Sequence, residues 1–235
     1  MQQMSRAFRT ERQEHPRKLL VRNKCIEMCK GSNLIILEIG AADCSFSRSI
    51  GEILKTQNLF AVDVIMPNDT SGIRFLQLDL NENDLPLDDN KFDLIIAIEV
   101  LEHLYDPDRL FREVKRVLKD DGLFMLTTPN LSAFINRIAL LFGYQPFGTN
   151  TSTQRNFGKI HGTEEEVCSR YGHNRVFTYK ALREFADYYD FKIIEHLGVH
   201  EPAITGVLGG FDKLISKKAS LAFDQFMVLQ KDGRY

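Results

Sequence analysis

The chain has 235 residues, 43% hydrophobic and 26% charged, with a formal net charge of −2 at pH 7. That length holds one large domain or two small ones, and the composition is that of an ordinary globular protein rather than a disordered or fibrous one. The slightly acidic balance gives no whole-protein attraction to nucleic acid, and no apolar run approaches the ~20 residues that span a bilayer.

In chain order, the first segment is MQQMSRAFRTERQEHPRK, which lacks the apolar core of a secretory signal. Arg6, Arg9, Arg12, Arg17, Lys18, Arg22 and Lys24 crowd it against only Glu11 and Glu14, which reads as a solvated helical arm over residues 1–33. Without a leader, Cys25, Cys29, Cys44 and Cys168 are expected to be reduced thiols of a cytoplasmic protein. Cys25 and Cys29 share a helix face, but no second pair at zinc-finger spacing accompanies them.

Strand-length apolar runs follow at 34–39, 59–64, 73–78, 92–100 and 123–128. They lack clean alternation, as strands buried on both faces of a parallel sheet do. Helical patterns lie between them at SFSRSIGEIL and DPDRLFREVKRVL, the second opened by Asp106 and Pro107 and followed by Gly122. Strand alternating with helix predicts a doubly wound α/β sheet with right-handed crossovers. After Pro129 come an apolar helical stretch, a long polar loop, a helix at 178–189 and a strand at 191–199. A GVLGG bend, a helix at 211–220 and a last strand at 223–231 complete the pattern. This reads as one domain over 34–235 with a lid or acceptor insertion at about 131–176.

The first strand ends in LEIGAADCSFS, residues 37–47. In an open α/β sheet the loop after the first strand meets a ligand, and small residues let backbone N–H groups approach it. A dinucleotide loop wants G-x-G-x-x-G, whereas Gly40 is followed here by Ala42 and Ser45 at those positions. A methyl group stands where a pyrophosphate would rest. Glu38, just before the turn, suits a cationic ligand better than a diphosphate.

The block Glu38-Ile39-Gly40-Ala41-Ala42-Asp43-Cys44 resembles motif I of the class I S-adenosylmethionine-dependent methyltransferases, D/E-x-G-x-G-x-G, with Ala42 and Cys44 in place of two glycines. AVDV, QLDLNEND and the stretch from LPLDDNKFDLIIAIEVLEHL to FMLTTPN agree in order and spacing, the last with the ubiquinone-biosynthesis-like branch. The resemblance covers about 34–130 and, in outline, 173–231. It implies a Rossmann-like sheet, mostly parallel with an antiparallel C-terminal strand and helices on both faces. It also implies S-adenosylmethionine as cofactor and S-adenosylhomocysteine as product. Asp63 would meet the ribose hydroxyls, Asp79 the adenine amino group and Leu80 the ring, with Glu38, Gly40, Ala42 and Glu99 completing the cofactor set.

Methyl transfer from a sulfonium needs chiefly alignment and exclusion of water, so no fixed catalytic dyad is demanded. His103 and His173 are the general-base candidates, since imidazole titrates near neutrality. Glu99, Glu102 and His103, with His173, resemble the metal set of related RNA 2′-O-methyltransferases, but hydrogen bonding around the turn explains E-x-x-E-H without a metal. His161, His196 and His200 have no motif around them. Arg175 would pair with an acidic substrate group or cap the next helix. The stretch 131–148 reads as core or lid, because a helix with Arg137 as its one charge lacks the basic face of a membrane anchor. Tyr144, Phe147, Phe157, Tyr171 and Phe177 would line the acceptor pocket. The reading is a small-molecule O- or N-methyltransferase. The alternatives are a metal-assisted RNA 2′-O-methyltransferase and a binding module without turnover.

Overall fold

The computed structural model describes residues 15–152, 154–160, 172–202 and 206–233. Arg6, Arg9, Arg12, His161, Cys168 and Tyr171 lie outside them.

Strands β1 (Ile36–Ile39), β2 (Leu59–Asp63), β3 (Ile73–Gln77) and β4 (Phe92–Ile98) run parallel and form in the order β3-β2-β1-β4. Helix α1 (Pro16–Met28) precedes β1, and α2 (Ser45–Leu54) and α3 (Pro107–Val117) are crossover helices. Strand β5 (Leu118–Pro129) joins β4 in parallel. The last strand β7 (Asp224–Lys231) inserts antiparallel between β5 and β6 (Phe191–Val199). Helices α4 (Phe134–Leu141), α5 (Tyr179–Tyr188) and α6 (Gly206–Ile215) complete the described elements. The architecture is the expected doubly wound, mostly parallel sheet with an antiparallel C-terminal strand.

Two apolar layers hold it together. Leu37, Ile39, Ile95 and Ala97 point to one face and pack with Phe111 and Val114 of α3 and Leu182 of α5. Ile36, Leu94 and Ile96 point to the other, against Val21 and Cys25 of α1 and Phe46 and Ile50 of α2. Alternate residues of one strand thus serve opposite layers, which is why the strands read as continuous apolar runs.

Three expectations are corrected. Residues Pro16–Met28 are not a solvated arm: Val21 and Cys25, four apart on one face, are fully buried over the sheet. The GVLGG segment is not a bend but the opening of α6, which starts five residues before the predicted helix. Glycines cost about 1 kcal/mol each in a helix and read as breakers, but packing overrides them here. Asp212 of α6 accepts a hydrogen bond from the Glu201 N–H at 2.9 Å. A side chain on Gly198 of β6 would collide with the Ser216 carbonyl, so that glycine lets the end of α6 lie close to the sheet. Third, α3 ends at Val117 and Gly122 lies inside β5, beside an irregularity in the pairing of β4 and β5. Among the described residues no helix is long and apolar enough to cross a membrane.

Candidate active site

The order β3-β2-β1-β4-β5 reverses chain progression between β1 and β4, and a crevice opens there at the carboxyl ends of the strands. A cleft of about 250 Å³ is lined by Gly40, Asp63, Asp79, Leu80, Glu99 and His103, with Val100 and Leu104 among its apolar walls. Residues from four strand ends thus meet in one place.

The first loop is held open by backbone geometry. Gly40 has φ +73°, and a side chain there would collide with Val100 Cγ2, so only glycine fits. Its N–H and that of Ala41 both donate to the Val62 carbonyl, at 2.8 and 3.3 Å. Ala42, Cys44 and Glu99 also take left-handed φ, +47°, +60° and +55°, without being glycine. Such conformations cost an L-residue about 1–2 kcal/mol and collect at functional sites.

Asp63 fixes the turn: Oδ2 accepts from the Ala42 N–H at 2.8 Å and Oδ1 from the Ile65 N–H at 3.1 Å. Each oxygen keeps a further lone pair for a ligand. Asp79 Oδ1 accepts from the Asn81 N–H at 2.9 Å. Glu38 is placed differently. It is 4% exposed behind the loop, accepts a hydrogen bond from Ser47 Oγ of α2, and is not among the residues lining the cleft. Burial pushes its carboxyl up to about 7. Ala42 also stays outside the lining and serves the site through its N–H.

Glu99 connects the cleft to the start of the chain. Its Oε1 accepts from Thr127 Oγ1 at 2.8 Å, and its Oε2 lies 3.2 Å from Arg17 Nη1. The same guanidinium donates from Nε to Asp224 at 2.5 Å and from Nη2 to Glu201 at 3.0 Å. Three carboxylates from three separate segments share one cation. Burial, with the neighbouring carboxylates, raises Glu99 and Asp224 to about 8 even against the downward pull of Arg17. Asp224 is fully buried and its Oδ1 has no hydrogen-bond partner. Sequence reasoning missed Arg17, Glu201 and Asp224; only the position of Arg17 after a helix-starting proline set it apart from six neighbouring cations.

A 3₁₀ turn over Leu101–His103 presents Glu102 and His103. Glu102 is fully buried and accepts from Thr128 Oγ1 at 3.0 Å, while its Oε1 has no hydrogen-bond partner and lies 3.9 Å from His103 Nε2. Its carbonyl takes the N–H groups of Asn174 and Arg175 at 2.6 and 3.1 Å, which docks the GHNR segment against the turn. His173 thereby meets His103, ring centroids 4.8 Å apart. His173 Nδ1 donates to the Gly148 carbonyl at 2.5 Å, which leaves Nε2 as the proton acceptor, and burial lowers its pKa. The ligand atoms of Glu102, His103 and His173 all lie within 4.8 Å of one another. Glu99, the fourth residue of the expected metal set, stands outside this group.

Other expectations fail on geometry. Arg175 does not cap α5; Thr178 does, accepting from the Ala181 N–H. Tyr171 lies outside the described residues, and the other four aromatics do not share a pocket. Phe177 packs on Phe185, Phe147 on Phe223, and Tyr144 and Phe157 are exposed. His196 stacks on Tyr179 away from the cleft.

Residues 8–196 match the family described as methyltransferase domain. A probable S-adenosylmethionine-dependent methyltransferase of Mycobacterium tuberculosis is 44% identical over 54 residues, 23% of this chain and 20% of that protein. A ubiquinone biosynthesis O-methyltransferase of Glaesserella parasuis is 44% identical over 46 residues, 20% of each chain. The matched segment thus spans about a fifth of the length of these curated relatives. The 1,6-didemethyltoxoflavin-N1-methyltransferase of Burkholderia thailandensis, solved with S-adenosylhomocysteine, superposes with a TM-score of 0.55 at 16% identity. The superposition covers 92% of this chain and 77% of that one, a likeness of fold.

Proposed function

Because this chain belongs to the methyltransferase domain family, we propose that it transfers a methyl group from S-adenosylmethionine to an oxygen or nitrogen of a small-molecule acceptor. The observation that carries this reading is the single cleft that collects Gly40, Asp63, Asp79, Leu80 and Glu99.

These residues fit the cofactor. Gly40 leaves bare backbone where any side chain would intrude. Asp63 offers carboxylate oxygens to ribose hydroxyls, Asp79 an acceptor to the adenine amino group, and Leu80 an apolar wall. When bound, the cofactor supplies a methyl group on a sulfonium whose leaving group is a neutral thioether. The chain's own part is to align the acceptor and exclude water. His103 borders the cleft, and the neutral His173 behind it can take up the acceptor's proton, an effect of about 10²–10⁴ in rate. The slightly acidic balance supports an acceptor other than nucleic acid, and the free thiols of Cys25, Cys29 and Cys44 support a cytoplasmic setting.

A second reading rests on Glu102 Oε1, without a hydrogen-bond partner, beside His103 and His173: a divalent cation held by these three would assist transfer to an RNA 2′-hydroxyl. Calorimetric titration with S-adenosylmethionine and S-adenosylhomocysteine tests both readings, and failure to bind either at millimolar levels overturns them. Labelled cofactor with cell extract, read by mass spectrometry, identifies what gains the methyl group. Metal retained through dialysis and turnover on RNA would favour the second reading.

A further inference from the structure

Helix α4 turns apolar side chains outward. Ile138, Leu141 and Phe142 are 37%, 75% and 71% exposed. Phe134, Ile138 and Leu141 follow one another at i, i+4 and i+7 and lie along one side of the helix. Phe134 touches Phe211 of α6, ring centroids 5.4 Å apart, and Phe211 and Leu214 are themselves exposed. Two helices distant in sequence therefore build one apolar face. Scattered exposed apolar residues need no explanation, but a contiguous group does.

Among the described residues of α4, α6 and the turn after α6, the exposed charges have one sign. Arg137 on α4, Lys213 on α6, and Lys217 and Lys218 in the turn after α6 are all exposed. That turn is fastened to α4: the Phe134 N–H donates to the Leu221 carbonyl at 2.9 Å, and Arg137 Nη2 to that of Ser220 at 3.2 Å. The one acid of α6, Asp212, is turned inward onto the Glu201 N–H and is 6% exposed. Residues 131–160 contain no Asp or Glu at all. On a chain of net charge −2, this is a local positive rim around an apolar centre.

We propose that the α4–α6 face docks on an anionic lipid surface, its apolar side chains entering the headgroup boundary and its cations resting at the phosphates. A second copy of the chain is a poorer occupant, because a symmetric contact would set lysine against lysine. Helix α4 leaves the sheet just beyond the carboxyl end of β5, the edge at which the cleft opens. Docking therefore turns the cleft's edge toward the bilayer.

The test is cosedimentation of the whole chain with vesicles of phosphatidylcholine alone or mixed with phosphatidylglycerol. The expected result is capture by the mixed vesicles only, weakened by salt. Leu141→Ser with Phe142→Ser, and Lys217→Glu with Lys218→Glu, should each weaken capture by about tenfold or more. Melting temperatures should stay near the wild type, since all four side chains are exposed. The proposal falls if neither vesicle captures the protein, if both capture it equally, or if the variants bind as the wild type does. It also falls if sedimentation velocity shows a dimer that Leu141→Ser with Phe142→Ser dissolves. Lysine reversal that releases a single-stranded RNA probe while leaving vesicle capture intact would overturn it in favour of RNA.

Discussion

Arg17 Nη1 stands 3.2 Å from Glu99 Oε2, and this contact ties the first helix to a wall of the cleft. The same guanidinium holds Glu201 and the fully buried Asp224, so one side chain joins α1, the end of β4, the segment after β6 and the start of β7. Removing it leaves three carboxylates facing each other. Arg17→Ala should lower stability by about 3 kcal/mol, read as the midpoint of denaturant unfolding. Arg17→Lys should fall between, because an ammonium cannot present three fixed donors. Equal midpoints for all three proteins would show the contacts to be energetically idle.

The first loop gives a pair of opposite expectations. Gly40→Ala adds a methyl group against Val100 at φ +73° and should abolish S-adenosylhomocysteine binding in calorimetry. Ala42→Gly relieves a left-handed alanine at φ +47°. Strain relief of about 1–2 kcal/mol, offset by the added chain entropy of glycine, should leave a gain on the order of 0.5 kcal/mol. A loss of stability in Ala42→Gly would count against this account of the loop.

Asp63 links the loop to the cofactor reading. Its two oxygens hold the Ala42 and Ile65 N–H groups, so Asp63→Ala should cost about 1–3 kcal/mol in folding. Loss of the ribose acceptors should weaken S-adenosylhomocysteine binding by about tenfold or more. Tight binding in the alanine variant would place the ribose elsewhere.

His173 predicts a pH profile. Burial lowers its pKa, and a base works only when unprotonated, so turnover should rise with pH, level off below the ordinary histidine value and stay flat through neutrality. His173→Ala should reduce kcat by about 10²–10⁴ with little change in cofactor affinity. An unchanged kcat removes His173 from the reaction.

Stability should depend on pH in the direction set by buried carboxyls. Burial raises Glu102 to about 7 and Asp224 to about 8, so the folded protein keeps protons that the unfolded chain releases above the ordinary carboxylate range. Their contribution is present in mild acid and is lost as pH rises through 7 to 8. Melting temperature should therefore fall from pH ~5 to pH ~8.5, and Glu102→Gln should flatten that slope. A melting temperature that climbs over this range would contradict the burial of these groups.

The sequence by itself determined the strand and helix order and the switch-point cleft. Helix α2 spans Ser45–Leu54, the residues its periodicity marks, and Gly40, Asp63, Asp79 and Leu80 meet where the strand pattern places them. Those features follow from local spacing and from the fixed chirality of crossovers, both written in neighbouring residues. Only the tertiary structure decided that Arg17 sits among carboxylates, that Glu38 turns away from the cleft to Ser47, and that α6 begins within GVLGG. It alone joined the apolar side of α4 to the lysines that follow α6. Each of these depends on which distant segments pack together as the two faces of the sheet are buried, and no short window of residues carries that information.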